Sequence, residues 1–155
     1  MGTLVKTWSG FPTKGSLLLM SPNPRIWAHL APLYASQPPA VQRLARALAE
    51  CGGRYTLASA LAHDAGLLDR DVVYRILHNA RLPPLTEMAA LIRALNWAFE
   101  LADGKTLARL ASDEQREPAQ YRRDVRRWLG VRWAEFVGLG PDWVAKRIAE
   151  RVQVP

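Results

Sequence analysis

The side chains able to do covalent or metal chemistry are few and far apart. His29, His63 and His78 are the three histidines of the chain, and their separations match no metal-ligand spacing. Cys51 is the single cysteine. It stands in a helix-ending Cys-Gly-Gly with no evident base partner, and alone it rules out an internal disulfide framework or a cysteine zinc site. His63 and Asp64 are neighbours in sequence, but adjacent residues on a helix point apart. No phosphate-binding loop or dinucleotide fingerprint is present. These residues point away from an enzyme and imply neither metal nor cofactor.

Recognition of a polyanion is the chemistry that remains. Over residues 69 to 79 a helical register leaves Arg70, Asp71, Tyr74, Arg75 and His78 facing outward. An arginine fork matches guanine O6 and N7, and a carboxylate can accept from cytosine, although it repels phosphate. Those five residues are candidates for base-edge contact, with Arg54 and Arg81 in the flanking loops as candidates for phosphate contact. The competing reading is a solvated polar face on an ordinary bundle helix. A second candidate is the run Tyr121-Arg122-Arg123-Asp124-Val125-Arg126-Arg127-Trp128. Arg122, Arg123, Arg126, Arg127 and Trp128 form a basic patch with interleaved aromatics, suited to a nucleic-acid backbone and base stacking, and equally to an acidic protein groove. The bland alternative is an amphipathic helix burying Val125, Trp128 and Leu129. Three of the six tryptophans follow residue 120, which suggests an interface, because tryptophan and arginine are enriched at binding hot spots.

With 155 residues and 49% hydrophobic content, the chain suits one compact domain or a small domain with an appendage. No apolar run has the length of a membrane span. Leu17 to Met20 is too short for a signal-peptide core, so the expected compartment is a reducing cytoplasm. The net charge is +7, which favours a polyanionic partner. The excess is uneven. Residues 1–38 carry three basic and no acidic side chains, residues 39–117 ten of each, and residues 118–155 eight basic and four acidic.

The elements that would position these groups are helical. Residues 1–38 are the exception, an N-terminal arm in which Thr3–Trp8 and Ser16–Met20 can pair as a β-hairpin. Arg25 to Ala35 reads as a short helix broken at Pro32. After Pro38-Pro39, Val41, Leu44, Ala45 and Leu48 share one helical face, and Cys51-Gly52-Gly53 ends that helix. A second helix is capped by Thr56 and buries Leu57, Ala60, Leu61 and Ala65. Gly66 permits a sharp turn, and Asp69 caps a third helix with Val72, Val73, Ile76 and Leu77 as its buried stripe. After Pro83-Pro84, Thr86 caps a fourth helix whose inner face is Met88, Leu91, Ile92 and Leu95. A short helix over Lys105–Leu110 precedes a polar linker, Asp113–Pro118. Helical spacing then resumes, with Val125, Trp128 and Leu129 on one face and Trp133, Phe136 and Val137 on another. A last helix is capped by Asp142 and aligns Val144, Ile148 and Val152.

Leu61-Ala62, Gly66-Leu67, Val73-Tyr74-Arg75-Ile76-Leu77, a proline-containing loop and Leu85–Leu95 together resemble the lambda-repressor-like (XRE/Cro type) helix-turn-helix family, over roughly residues 40–96. The nearest resemblance within it is to addiction-module antitoxins and phage or plasmid regulators. Ala62 matches the small residue at the helix crossing, Gly66 the turn glycine, and Val73 and Ile76 the apolar anchors. The turn is one residue longer than usual, and Asn79-Ala80 stands where a glycine is common.

Together with this resemblance, the residue patterns predict a mostly α fold: a lambda-repressor-like helix-turn-helix domain over 39–112, after the arm at 1–38 and before a basic, Trp-rich helical region at 118–155. The implied function is sequence-specific binding of double-stranded DNA by a transcriptional regulator, an antitoxin or a phage or plasmid repressor, acting as a homodimer because such modules read two half-sites. A cognate toxin or other protein would bind through the C-terminal region. The alternative is a protein-interaction module, either a nucleoprotein-complex subunit or a phage-type inhibitor, using the basic C-terminal face.

Overall fold

Every regular element is a helix among the residues that the computed structural model describes, 23–54 and 58–152. They are α1 (Pro24–Leu30), a 3-10 turn (Ala31–Tyr34), α2 (Pro39–Glu50), α3 (Ala58–Asp64), α4 (Arg70–Asn79), α5 (Leu85–Ala102), α6 (Leu107–Glu114), α7 (Pro118–Leu129), α8 (Trp133–Phe136) and α9 (Pro141–Val152). The hairpin expected within residues 3–20, and the helix start expected at Thr56 and Leu57, lie outside the described residues.

The molecule is built around α5. The expected face of Met88, Leu91, Ile92 and Leu95 is buried. Leu85, Ala89, Ala94, Trp97, Ala98 and Phe99 are buried as well. A helix apolar on nearly all sides must be covered from nearly all sides, and α1, α2, α7 and α9 all pack on α5. It begins at Leu85 after Pro84, one residue before the expected cap at Thr86. Pro84 holds the N-cap position with φ −56° and ψ 155°, and no side chain caps this helix.

The helices flanking α5 follow their apolar spacing closely. In α2, Val41, Leu44, Ala45 and Leu48 are buried. In α9, Val144, Ile148 and Val152 are buried, and Asp142 lies in its first turn, with one carboxylate oxygen 3.1 Å from His29 Nε2. In α7, Tyr121 and Val125 are buried while Trp128 and Leu129 are half-buried. Val137 differs from expectation. It stands outside α8 with 48% of its surface exposed, while Phe136 takes the interior place. One apolar cluster runs through residues from α1 to α9.

The segment expected to be a linker is shorter and more ordered than its polarity suggests. Thr106 Oγ1 accepts the Arg109 amide at 3.2 Å and starts α6 there. The helix continues through Asp113 and Glu114 and ends where Gln115 adopts a left-handed φ of 55°.

Candidate nucleic-acid interface

Helix α3, the turn after it and α4 form a tight unit. Gly66 has φ +72°, and the turn closes with Leu67 N donating to Ala62 O at 2.8 Å and Gly66 N to His63 O at 3.2 Å. Glycine meets this left-handed position without strain. Leu68, at the tip of the turn, is 88% exposed. Asp69 then caps α4, one carboxylate oxygen accepting the amides of Asp71 at 3.0 Å and Val72 at 3.1 Å. Val73 and Leu77 anchor α4 in the core, whereas Val72 and Ile76 are only half-buried, so the stripe is narrower than expected.

The opposite side of α4 is open. Arg70, Asp71, Tyr74, Arg75 and His78 are all exposed, and Tyr74 keeps 53% of its surface in solvent. Arg70 Nε lies 3.9 Å from Asp71 Oδ1, a loose surface pair that holds the guanidinium weakly. Among the described residues no carboxylate forms an ion pair with Arg75 or Arg81. Residues 23–38 do not cover this face: α1 and the 3-10 turn pack on α2, α5 and α9.

Arg81 is exposed beside the C-terminus of α4, in a left-handed conformation with φ 56°. It takes the place that glycine usually fills after a helix. The turn is nonetheless fully formed, with Leu82 N bonded to Leu77 O at 2.9 Å and Arg81 N to His78 O at 3.0 Å.

Arg54 is placed differently from the other candidates. Its side chain is 19% exposed and its Nη2 lies 3.5 Å from Glu114 Oε2, so its guanidinium is turned toward α6 rather than left open for phosphate. It belongs to an internal polar cluster that sequence reasoning missed. Glu114, 8% exposed, accepts from Tyr121 OH at 2.7 Å and Trp97 Nε1 at 3.3 Å. Arg116 pairs with Asp124 at 2.7 Å, and its guanidinium lies over the Tyr121 and Trp97 rings. Arg93 donates to Gly53 O at 2.9 Å. Burial lowers the Arg93 pKa, and the neighbouring Arg116 charge adds to the effect. Burial, and then the bond to Glu114, raise the Tyr121 phenol above its ordinary value. A polar tract between two helices hides such a cluster; the usable signal was that buried Trp and Tyr need partners for their polar ends.

The basic C-terminal patch divides by face. Arg122, Arg123, Arg126 and Arg127 are exposed, and none of them has an ion-pair partner among the described residues. The aromatics are not open beside them. Tyr121 is 0% exposed, and half-buried Trp128 lies under Arg127, whose guanidinium carbon is 4.8 Å from the indole centroid.

No group of three or more His, Cys, Asp or Glu side chains that could hold a metal occurs among the described residues. No helix among them is long and apolar enough to cross a membrane. In comparison with known proteins, the chain matches no family model, no curated protein and no solved structure.

Proposed function

We propose that the protein is a sequence-specific DNA-binding regulator in which α3 and α4 act as a helix-turn-helix and α4 enters the major groove. The observation that carries this reading is the two-sided character of α4: Val73 and Leu77 are buried, while Arg70, Asp71, Tyr74, Arg75 and His78 are exposed together. A helix held by one narrow apolar edge, with a capped N-terminus and an arginine in its first turn, can present base-reading groups at its leading end. Arg70 and Arg75 supply guanidinium forks for guanine, Tyr74 an aromatic edge, and Arg81 a phosphate contact from the following loop. The protein acts as a homodimer on two half-sites, in the manner of a phage, plasmid or antitoxin-type repressor.

A genome-fragment binding selection tests the reading. Recovery of one palindromic site by the native protein, lost in the Arg70→Ala/Arg75→Ala variant, is the expected result. Each bidentate base contact removed should cost about 1–3 kcal/mol of discrimination. Recovery of no preferred site, or the same site with both proteins, would end this assignment of α4.

A further inference from the structure

We infer that the outer face of α7 is a second, sequence-independent binding surface for the phosphate backbone of duplex nucleic acid. The inference stands apart from the role proposed for α4. The two helices have different packing partners: α7 packs on α5, α6 and α8, and α4 on α3 and α2.

Four arginines, Arg122, Arg123, Arg126 and Arg127, share two consecutive helical turns and are exposed. The one carboxylate of the helix, Asp124, is engaged by Arg116 of the preceding loop and does not neutralise them. Arg122 with Arg126, and Arg123 with Arg127, are i, i+4 pairs of like charge. Each such pair disfavours the isolated helix. A polyanion laid along the helix relieves that repulsion, and the guanidinium fork matches phosphate oxygens.

The neighbouring side chains decide which polyanion fits. Single-strand binding needs aromatic faces on which bases stack, but Tyr121 is fully buried and bonded to Glu114, and Trp128 is half-buried with Arg127 over its ring. A protein interface needs an apolar centre depleted of charge, and this face has four charges with no large apolar side chain open between them. What remains is a row of phosphate-binding groups with neither a stacking platform nor a hydrophobic anchor, which fits the outside of a duplex.

The test is the salt dependence of binding to a short duplex of arbitrary sequence. Three proteins are compared: native, a variant with all four arginines changed to alanine, and one with all four changed to lysine. Each phosphate neutralised contributes about −0.9 to the slope of log K against log salt. The alanine variant should lose about three to four units of slope, while the lysine variant keeps nearly all of it. Circular dichroism confirms that both variants are folded, and an Arg70→Ala/Arg75→Ala control should leave most of the nonspecific slope in place. An unchanged slope in a folded alanine variant would overturn the proposal. So would displacement of the duplex by polyglutamate as effective as by a second duplex, which would mark the face as a site for an acidic protein.

Discussion

Arg93 Nη2 donates to the carbonyl oxygen of Gly53 at 2.9 Å, and the same glycine lies directly against helix α5. A Cβ on Gly53 would stand 2.3 Å from Ala89 O and 2.7 Å from Arg93 N, both backbone atoms, and the residue has φ +72°. Gly66 shares that φ but has open space where its Cβ would go. Gly53→Ala should therefore lose about 3 kcal/mol or more by urea unfolding, from overpacking and left-handed strain together, and Gly66→Ala about 1 kcal/mol from strain alone. Equal losses at the two sites would refute the close approach of the loop to α5.

Glu114 is the shared acceptor of the internal cluster, so its removal strands Trp97 Nε1, whereas Tyr121 OH keeps the Leu110 carbonyl oxygen at 3.1 Å and Arg116 keeps Asp124. Glu114→Ala leaves Trp97 Nε1 and Tyr121 OH without this acceptor and removes the carboxylate facing Arg54 and Arg116. A loss of about 3–5 kcal/mol is expected from denaturant titration. Glu135→Ala, at an exposed position of α8, should change stability by less than about 0.5 kcal/mol. Similar values for the two variants would contradict the structural role of the cluster.

Arg81 sets stability against binding. Glycine at this left-handed position should stabilise the fold by about 1 kcal/mol, because the strain at φ 56° disappears. Under the proposed function, Arg81→Gly should also reduce the salt slope of DNA binding by about one unit. A variant that is more stable and binds DNA as the native protein does would remove Arg81 from the interface while leaving the turn geometry intact.

Alkaline stability should depend on two buried phenols. Burial raises the pKa of Tyr34, and burial with the Glu114 bond raises that of Tyr121, above the ordinary value of 10.0. The folded state then holds these protons more tightly than the unfolded chain. Their contribution is complete below pH 10.0 and is lost as pH rises above it. Stability should fall above that pH, with tyrosinate absorbance from these residues appearing together with unfolding. Tyr34→Phe should flatten the fall; an equally steep loss in that variant would assign the effect elsewhere.

What the sequence determined by itself was local. Period and punctuation were enough to place the inner faces of α2, α5 and α9, the turn at Gly66 and the cap at Asp69, because each depends on residues within a few positions of one another. The outward direction of Arg70, Tyr74 and Arg75 followed from the same period. Tertiary structure decided what depends on distant partners. Asp113 and Glu114 read as linker because they are polar and precede a proline, yet Glu114 is held by Trp97 and Tyr121 from two other helices. Arg54 resembled a free loop cation until the fold brought Glu114 to it. Trp128 resembled a stacking platform until its own helix set Arg127 over the ring. A charged side chain's partner can be tens of residues away, and hydrophobic periodicity says nothing about which charges will meet.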